Sequence, residues 1–80
     1  MTRETIVETV NSLLADEFEV ESTLFAPEAS VRETLSLDSL SLVDLVALVQ
    51  ANFKIKIPVS DLHTIQTFDD LYNYIENHLA

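Results

Sequence analysis

Residues 35–53 read LSLDSLSLVDLVALVQANF, and this stretch decides the fold. Apolar residues recur at helical spacing within it, which predicts an α-helix from about Ser39 to Asn52 or Phe53. One apolar stripe consists of Leu42, Leu45, Val46, Val49 and Phe53, and an adjacent one consists of Leu40, Val43 and Ala47. A chain of 80 residues cannot bury so apolar a helix on every side, so part of it is expected to dock onto another molecule.

Two further long helices are predicted at the ends of the chain. The first begins near Thr2 or Arg3, with Thr2 as its N-cap, and ends at about Glu17. The last spans about Phe68–Leu79 and opens with residues 67–70, TFDD, which resemble a capping box with Asp at its fourth position.

The connections contain fewer regular patterns. Residues 19–37 show no sustained period and form a long loop, anchored to the core by Leu24, Phe25, Val31, Leu35 and Leu37. Residues 54–58, KIKIP, predict an extended connector, since a single short strand would have no partner. A short helix at about Ser60–Thr64 follows, with Ser60 as its cap and Leu62 and Ile65 facing inward. The fold class is therefore all-α, a single domain over residues 1–80 with three main helices and one short helix.

Composition excludes several classes of function. The chain carries 14 acidic and 4 basic residues, a net charge of -10, which disfavours nucleic acid and anionic membranes. This acidity favours basic protein partners, although solubility alone explains it equally well. There is no cysteine, and neither His63 nor His78 has metal-ligand spacing, so no metal site is predicted. We expect a free-standing monomer in the cytoplasm, without membrane insertion.

Ser39 is the candidate for chemistry. It lies at the predicted start of the central helix, where free N–H groups and the helix dipole favour a negative group such as a phosphodiester. Serine is also a common N-cap residue, and Asp38 is an alternative cap, so the three residues Asp38-Ser39-Leu40 do not decide the question alone. No histidine lies near Ser39 in sequence, so a hydrolase is not indicated.

From Leu35 to Ile65 the sequence resembles the acyl carrier protein family. The resemblance rests on LSLDSL at 35–40, the Leu/Val-rich helix after it, and Ile57-Pro58. It implies an acyl-carrier-like bundle in which Ser39 receives a 4′-phosphopantetheine arm from a separate phosphopantetheinyl transferase. Acyl groups would then be carried as thioesters for fatty-acid, polyketide or related biosynthesis, and the carrier itself would not be an enzyme. Two positions depart from the family pattern, because Ser36 replaces a glycine and Thr34 stands where an acid is common.

The resemblance also implies partners and a place for the acyl chain. Ketosynthases and acyltransferases would dock on the central helix, where Asp38 and Asp44 keep the acidic character that basic partners recognise. Since this helix is apolar nearly all round, we expect apolar contact to matter more than charge, through Leu40, Val43, Ala47 and Leu48. Candidates to line an acyl pocket, or simply to pack the core, are Val46, Phe53, Ile57, Leu62, Ile65 and Leu71.

Two alternatives remain open from the sequence. The chain would have the same acidic, apolar-faced bundle if it were an unmodified protein–protein docking module. An aminoacyl or peptidyl carrier would also have a similar sequence, although the motif LDSL at residues 37–40 mildly favours an acyl carrier.

Overall fold

The computed structural model describes residues 2–79, and for residues 39, 59 and 63 it describes only the backbone. The α-helices are α1 (Arg3–Phe18), α2 (Val31–Leu35), α3 (Ser39–Phe53) and α4 (Phe68–His78). Two 3₁₀ segments, Ser22–Leu24 and Val59–Thr64, lie between them. The predicted all-α bundle is confirmed, with α1, α3 and α4 as its long helices.

Side-chain caps fix where α1 and α4 begin. The Thr2 hydroxyl accepts a hydrogen bond from the Thr5 N–H at 3.2 Å. At α4 the Thr67 hydroxyl accepts from the Asp70 N–H at 3.2 Å, while the Asp70 carboxylate accepts from the Thr67 N–H at 3.1 Å. Hydrogen bonds from the N–H groups of Thr67 and then Gln66 hold the pKa of Asp70 below its ordinary value. The predicted cap and capping box are confirmed.

The connection between α1 and α3 is more regular than the sequence predicts. It contains α2, whose N-cap Ser30 accepts a hydrogen bond from the Glu33 N–H at 3.3 Å. A helix of five residues is too short to show a repeat, and only the buried pair Val31 and Leu35 marks it, at a spacing of four. The prediction that all of residues 19–37 form a loop was wrong at this point, because α2 lies within it.

The same connection is tied to α4. The Val31 N–H donates to the Gln66 carbonyl at 3.0 Å, and the Phe68 N–H donates to the Ala29 carbonyl at 3.2 Å. Phe25 is buried and stacks on Phe68 with ring centroids 4.8 Å apart. The predicted anchoring is thus confirmed for the buried side chains, but Leu24 is 57% exposed. A 3₁₀ turn changes direction by about 120° per residue, so Phe25 can face the core while Leu24 faces outward.

The second 3₁₀ segment corrects another prediction. Its N-cap position is Pro58, with φ -61° and ψ 150°, and not Ser60. Proline fixes φ near this value and has no N–H to leave unpaired, so it suits the residue that turns the extended connector into the segment. The side chains of Val59 and His63 in this segment lie outside the described part of the structure.

Every helix before α4 ends in a left-handed residue that is not glycine. Glu19, Ser36 and Lys54 have φ of 55°, 54° and 55°. Such a conformation normally favours glycine, and other L-residues adopt it at a cost of roughly 1–2 kcal/mol. The sequence contains no glycine, so this chain ends its helices at that cost.

The core lies where α1, α3 and α4 meet. The most deeply buried side chains are Ile6, Val10 and Leu14 of α1, Leu45 and Val49 of α3, and Phe68, Leu71, Tyr72 and Ile75 of α4. Phe53 is also buried, whereas Leu42 and Val46 are half-buried, so the first apolar stripe of α3 is confirmed as its inward face.

Candidate functional site

The start of α3 is built by the turn that precedes it. Ser36 ends α2 in the left-handed conformation, and the Leu37 N–H donates back to the Arg32 carbonyl at 2.9 Å. This turn delivers Asp38 to the N-cap position, with φ -100° and ψ -173°. Ser39 is therefore the first residue of the helix and not its cap. The Ser39 side chain lies outside the described part of the structure, so its predicted modification stays a prediction.

Asp38 accepts hydrogen bonds at the positive, N-terminal end of α3. Its Oδ1 accepts a hydrogen bond from the Ser41 N–H at 2.8 Å, and its carbonyl accepts from the Leu42 N–H at 3.0 Å. The hydrogen bonds from Ser41, first from its N–H and then from its hydroxyl, hold the pKa of the Asp38 carboxyl below its ordinary value. The helix end thus already stabilises one anionic group, which shows that it favours negative charge.

The outer face of α3 is apolar and exposed. Leu40 is 78% exposed and Val43 is 61% exposed, and Ala47 next to them is exposed as well. Asp38 and Asp44 are exposed, whereas Leu48 is half-buried against the core. The second apolar stripe predicted from the sequence is therefore present at the surface. Its role in recognition is untested and remains a prediction.

A small cavity lies on the other side of α3. Its volume is about 10 Å³, which is about enough for one water molecule and far too small for an acyl chain. Five of the predicted pocket residues line it, namely Val46, Ile57, Leu62, Ile65 and Leu71. Phe53 is buried in the core but is not among the residues that line this cavity. The structure adds Val31, Leu42, Leu45 and Arg32 to the lining.

Two polar contacts between described residues tie the cavity wall formed by residues 57–65 to α3 and α4. The Ile57 N–H donates to Gln50 Oε1 of α3 at 2.8 Å. The Tyr74 hydroxyl of α4 donates to Asp61 Oδ2 at 2.7 Å. Burial, followed by the adjacent Asp61 carboxylate, raises the pKa of the Tyr74 hydroxyl, so it remains a donor at neutral pH.

Comparison with known families decides the class of the protein. A family model described as a phosphopantetheine attachment site matches residues 8–75, from within α1 to within α4. The chain belongs to that family. Members are carriers that hold 4′-phosphopantetheine covalently on a serine, and they interact with a phosphopantetheinyl transferase and with acyl-processing enzymes. The resemblance to acyl carrier proteins noted in the sequence is confirmed at this level.

The residues at the start of α3 fit such a group. The helix begins at an exposed surface, where Asp38 and Leu40 on either side of position 39 are both exposed. The positive end of the helix favours the phosphodiester that joins the arm to the serine. None of the helices within residues 2–79 has the length and apolar character needed to cross a bilayer.

Proposed function

We propose that this chain is an acyl carrier protein whose 4′-phosphopantetheine arm is attached to Ser39. The observation that carries the proposal is the position of Ser39, the first residue of α3, directly after the N-cap Asp38. Two other serines lie nearby. Ser36 occupies the left-handed turn before the helix, and the N–H of the half-buried Ser41 is held by Asp38. Neither combines the helix start with the Asp-Ser-Leu sequence that resembles the family signature.

The residues around Ser39 supply binding and orientation rather than catalysis. The helix dipole stabilises the negative phosphodiester, and the cap at Asp38 fixes the direction in which the helix starts. The arm, when attached, supplies a thiol that carries acyl groups as thioesters. We propose no enzymatic activity for the chain itself, since family members are non-catalytic carriers.

Partner enzymes are proposed to dock on the outer face of α3. Candidates are the transferase, ketosynthases and acyltransferases, and the pathway would be fatty-acid, polyketide or related biosynthesis. The exposed Leu40, Val43 and Ala47 form a continuous apolar surface flanked by Asp38 and Asp44. An apolar centre with charged residues at its rim is the usual anatomy of a protein interface.

An acyl chain is proposed to enter the cavity only after the wall at residues 57–65 moves. Each methylene gains about 0.8 kcal/mol on leaving water, so an eight-carbon chain gains up to roughly 6 kcal/mol. That gain is offset by the cost of opening a cavity that measures about 10 Å³ when closed. Short or polar acyl groups gain too little and are expected to stay outside.

The attachment is tested by mass spectrometry. The purified chain is incubated with coenzyme A, magnesium and a broad-specificity phosphopantetheinyl transferase, and its intact mass is measured. We expect a gain of one phosphopantetheinyl group, located by digestion to the peptide that contains Ser39. The gain should disappear in Ser39→Ala and persist in the matched control Ser41→Ala, which removes a hydroxyl two residues along the same helix.

The same experiment separates the alternatives. No mass gain with several transferases would contradict the proposal and favour an unmodified docking module. Modification that persists in Ser39→Ala would move the site to another serine. Loading of the modified protein with fatty acyl or aminoacyl groups by their respective ligases then distinguishes an acyl carrier from an aminoacyl or peptidyl carrier.

A further inference from the structure

Among the described residues, Arg32 is the single charged one that lines the cavity between α2 and α3. The other described residues in the lining are valines, leucines and isoleucines. Arg32 is exposed and also lines the cavity, as is typical of an arginine whose aliphatic stem packs on apolar neighbours while its guanidinium group stays in solvent. This packing accounts for the position of the aliphatic part of the Arg32 side chain. It leaves open what the positively charged guanidinium group binds.

The guanidinium group has no acidic partner among the described residues, although acids greatly outnumber bases in this chain. The net charge is -10, with 14 acidic and 4 basic residues. Among the described residues the one salt bridge joins Arg3 to Asp69, and Arg32 forms neither a salt bridge nor a side-chain hydrogen bond with any of them. An exposed, unpaired arginine in so acidic a protein is available for an anion from outside the polypeptide.

Arg32 also lies near the start of α3, where the arm would be attached. It shares the cavity with Leu42, which lies three residues, or about one turn, after position 39. The other bases are remote or engaged. Arg3 is paired with Asp69, while Lys54 and Lys56 follow the far end of α3, whose 15 residues span about 22 Å.

A cation near this helix end would offset the negative charge that collects there. Asp38 is an exposed carboxylate at the N-cap and already occupies the Ser41 N–H. A phosphodiester on the next residue would bring a second negative charge to the same helix end, and like charges at this distance repel. The helix dipole, worth about half a positive charge, does not balance two anions.

We propose that Arg32 pairs with the phosphodiester of the prosthetic arm and holds the start of the arm on the α2 side of α3. This inference rests on the proposed attachment at Ser39. The planar guanidinium group can donate two parallel hydrogen bonds to the phosphodiester oxygens. The arm then begins beside the cavity, and the apolar face formed by Leu40, Val43 and Ala47 stays free for partners.

The test uses the phosphorus NMR signal of the loaded, unacylated protein, which contains a single phosphodiester. Loading is first verified by mass, so failure of the attachment is distinguished from failure of the pairing. In Arg32→Gln we expect faster motion of the phosphodiester, seen as a lower phosphorus transverse relaxation rate. Surface charge pairs of this kind change the ratio of bound to free arm by about two- to five-fold. Arg32→Lys should retain part of the pairing, because lysine keeps the positive charge but cannot donate two parallel hydrogen bonds.

Lys56→Gln is the matched control, because it removes one exposed positive charge at the other end of α3. It should leave the relaxation rate unchanged, and about 1 M salt should bring the wild type close to Arg32→Gln. In the wild type, the Arg32 side-chain nitrogen signals should shift on loading. Equal relaxation rates in wild type and Arg32→Gln, with loading verified, would overturn the pairing. An equal fall in Lys56→Gln would also overturn it, because net charge alone would then explain the effect.

Discussion

Helices α3 and α4 use their apolar residues differently. In α4 the large apolar side chains Phe68, Leu71 and Ile75 are fully enclosed, and the exposed positions are polar. In α3 the inward stripe is buried at Leu45, Val49 and Phe53, but Leu40 and Val43 lie on the surface. The fold accounts for every apolar residue of α4 named here and leaves the outer stripe of α3 unexplained. This exposed apolar stripe indicates contact with other molecules, since exposed apolar patches usually mark interaction surfaces.

The two helices also differ at their ends. A reciprocal capping box opens α4, and Leu79 follows it with φ -73°. By contrast, α3 lies between Ser36 and Lys54, two non-glycine residues in the left-handed conformation. Local preference therefore supports α4 at both ends, whereas α3 has a favourable N-cap in Asp38 but ends at Lys54 against the conformational preference of that residue.

The largest effect is expected from the core side of α4. Phe68→Ala should lower the free energy of unfolding by about 3–5 kcal/mol, since it opens a cavity beneath Phe25. Chemical denaturation monitored by circular dichroism measures this. Phe68→Leu provides a milder variant that stays folded if the alanine variant does not.

Leu40→Ala is the comparison on α3. Because this side chain is 78% exposed, its removal should change stability by no more than about 0.5 kcal/mol. A loss from Leu40→Ala comparable to that from Phe68→Ala would show that the outer stripe is structural, and the contrast between the two helices would fail.

The next effect concerns partners rather than stability. Val43→Ser combined with Ala47→Ser should lower kcat/KM for loading by the transferase about ten-fold, equivalent to about 1.4 kcal/mol. The reason is loss of apolar contact at the centre of the proposed interface. Rates of coenzyme A-dependent loading at several carrier concentrations measure it.

Asp44→Lys tests the competing role of charge, because Asp44 is exposed on the same helix. We expect a smaller decrease from this reversal, and one that salt diminishes. If Asp44→Lys abolished loading while the serine double variant was loaded normally, recognition would depend on charge and the apolar hypothesis would be wrong.

The sequence predicted features that depend on local patterns. The α4 capping box needs only Thr67 and Asp70 at the right spacing, and the long helices show their own periodicity. Ser39 was identified because the helix start and the family signature coincide there. The exposed stripe of α3 could also be inferred, since the helix is too apolar for a domain of this size to bury.

Other features depend on contacts that no local pattern contains. Helix α2 is too short to show a period, and its burial comes from pairing with residues 66–68 near the start of α4. The Tyr74 hydroxyl donates a hydrogen bond to Asp61, thirteen positions earlier, and no local sequence pattern predicts this contact. Arg32 was also missed, although an arginine within an acidic, aperiodic segment is a signal that could have been followed.

A further small effect on stability tests the left-handed turn before α3. Ser36→Gly should raise the free energy of unfolding by about 0.5–1 kcal/mol. Glycine removes a cost of roughly 1–2 kcal/mol at φ 54° but adds about 0.4–1 kcal/mol of unfolded-chain entropy. For a domain of this size, thermal denaturation should then show a midpoint about 2–8 °C higher.

Ser36→Ala separates the backbone effect from loss of the hydroxyl, because alanine keeps the Cβ atom and should give no stabilisation. The Ser36 and Leu37 N–H groups donate to the carbonyls of Glu33 and Arg32 at 3.3 and 2.9 Å, so the turn itself should persist in the glycine variant. Stabilisation by glycine with unchanged loading of Ser39 would mean that the strain has no role in presenting the serine. Stabilisation with slower loading would mean that the rigid serine turn, and not the helix alone, sets the position of Asp38 and Ser39 for the transferase.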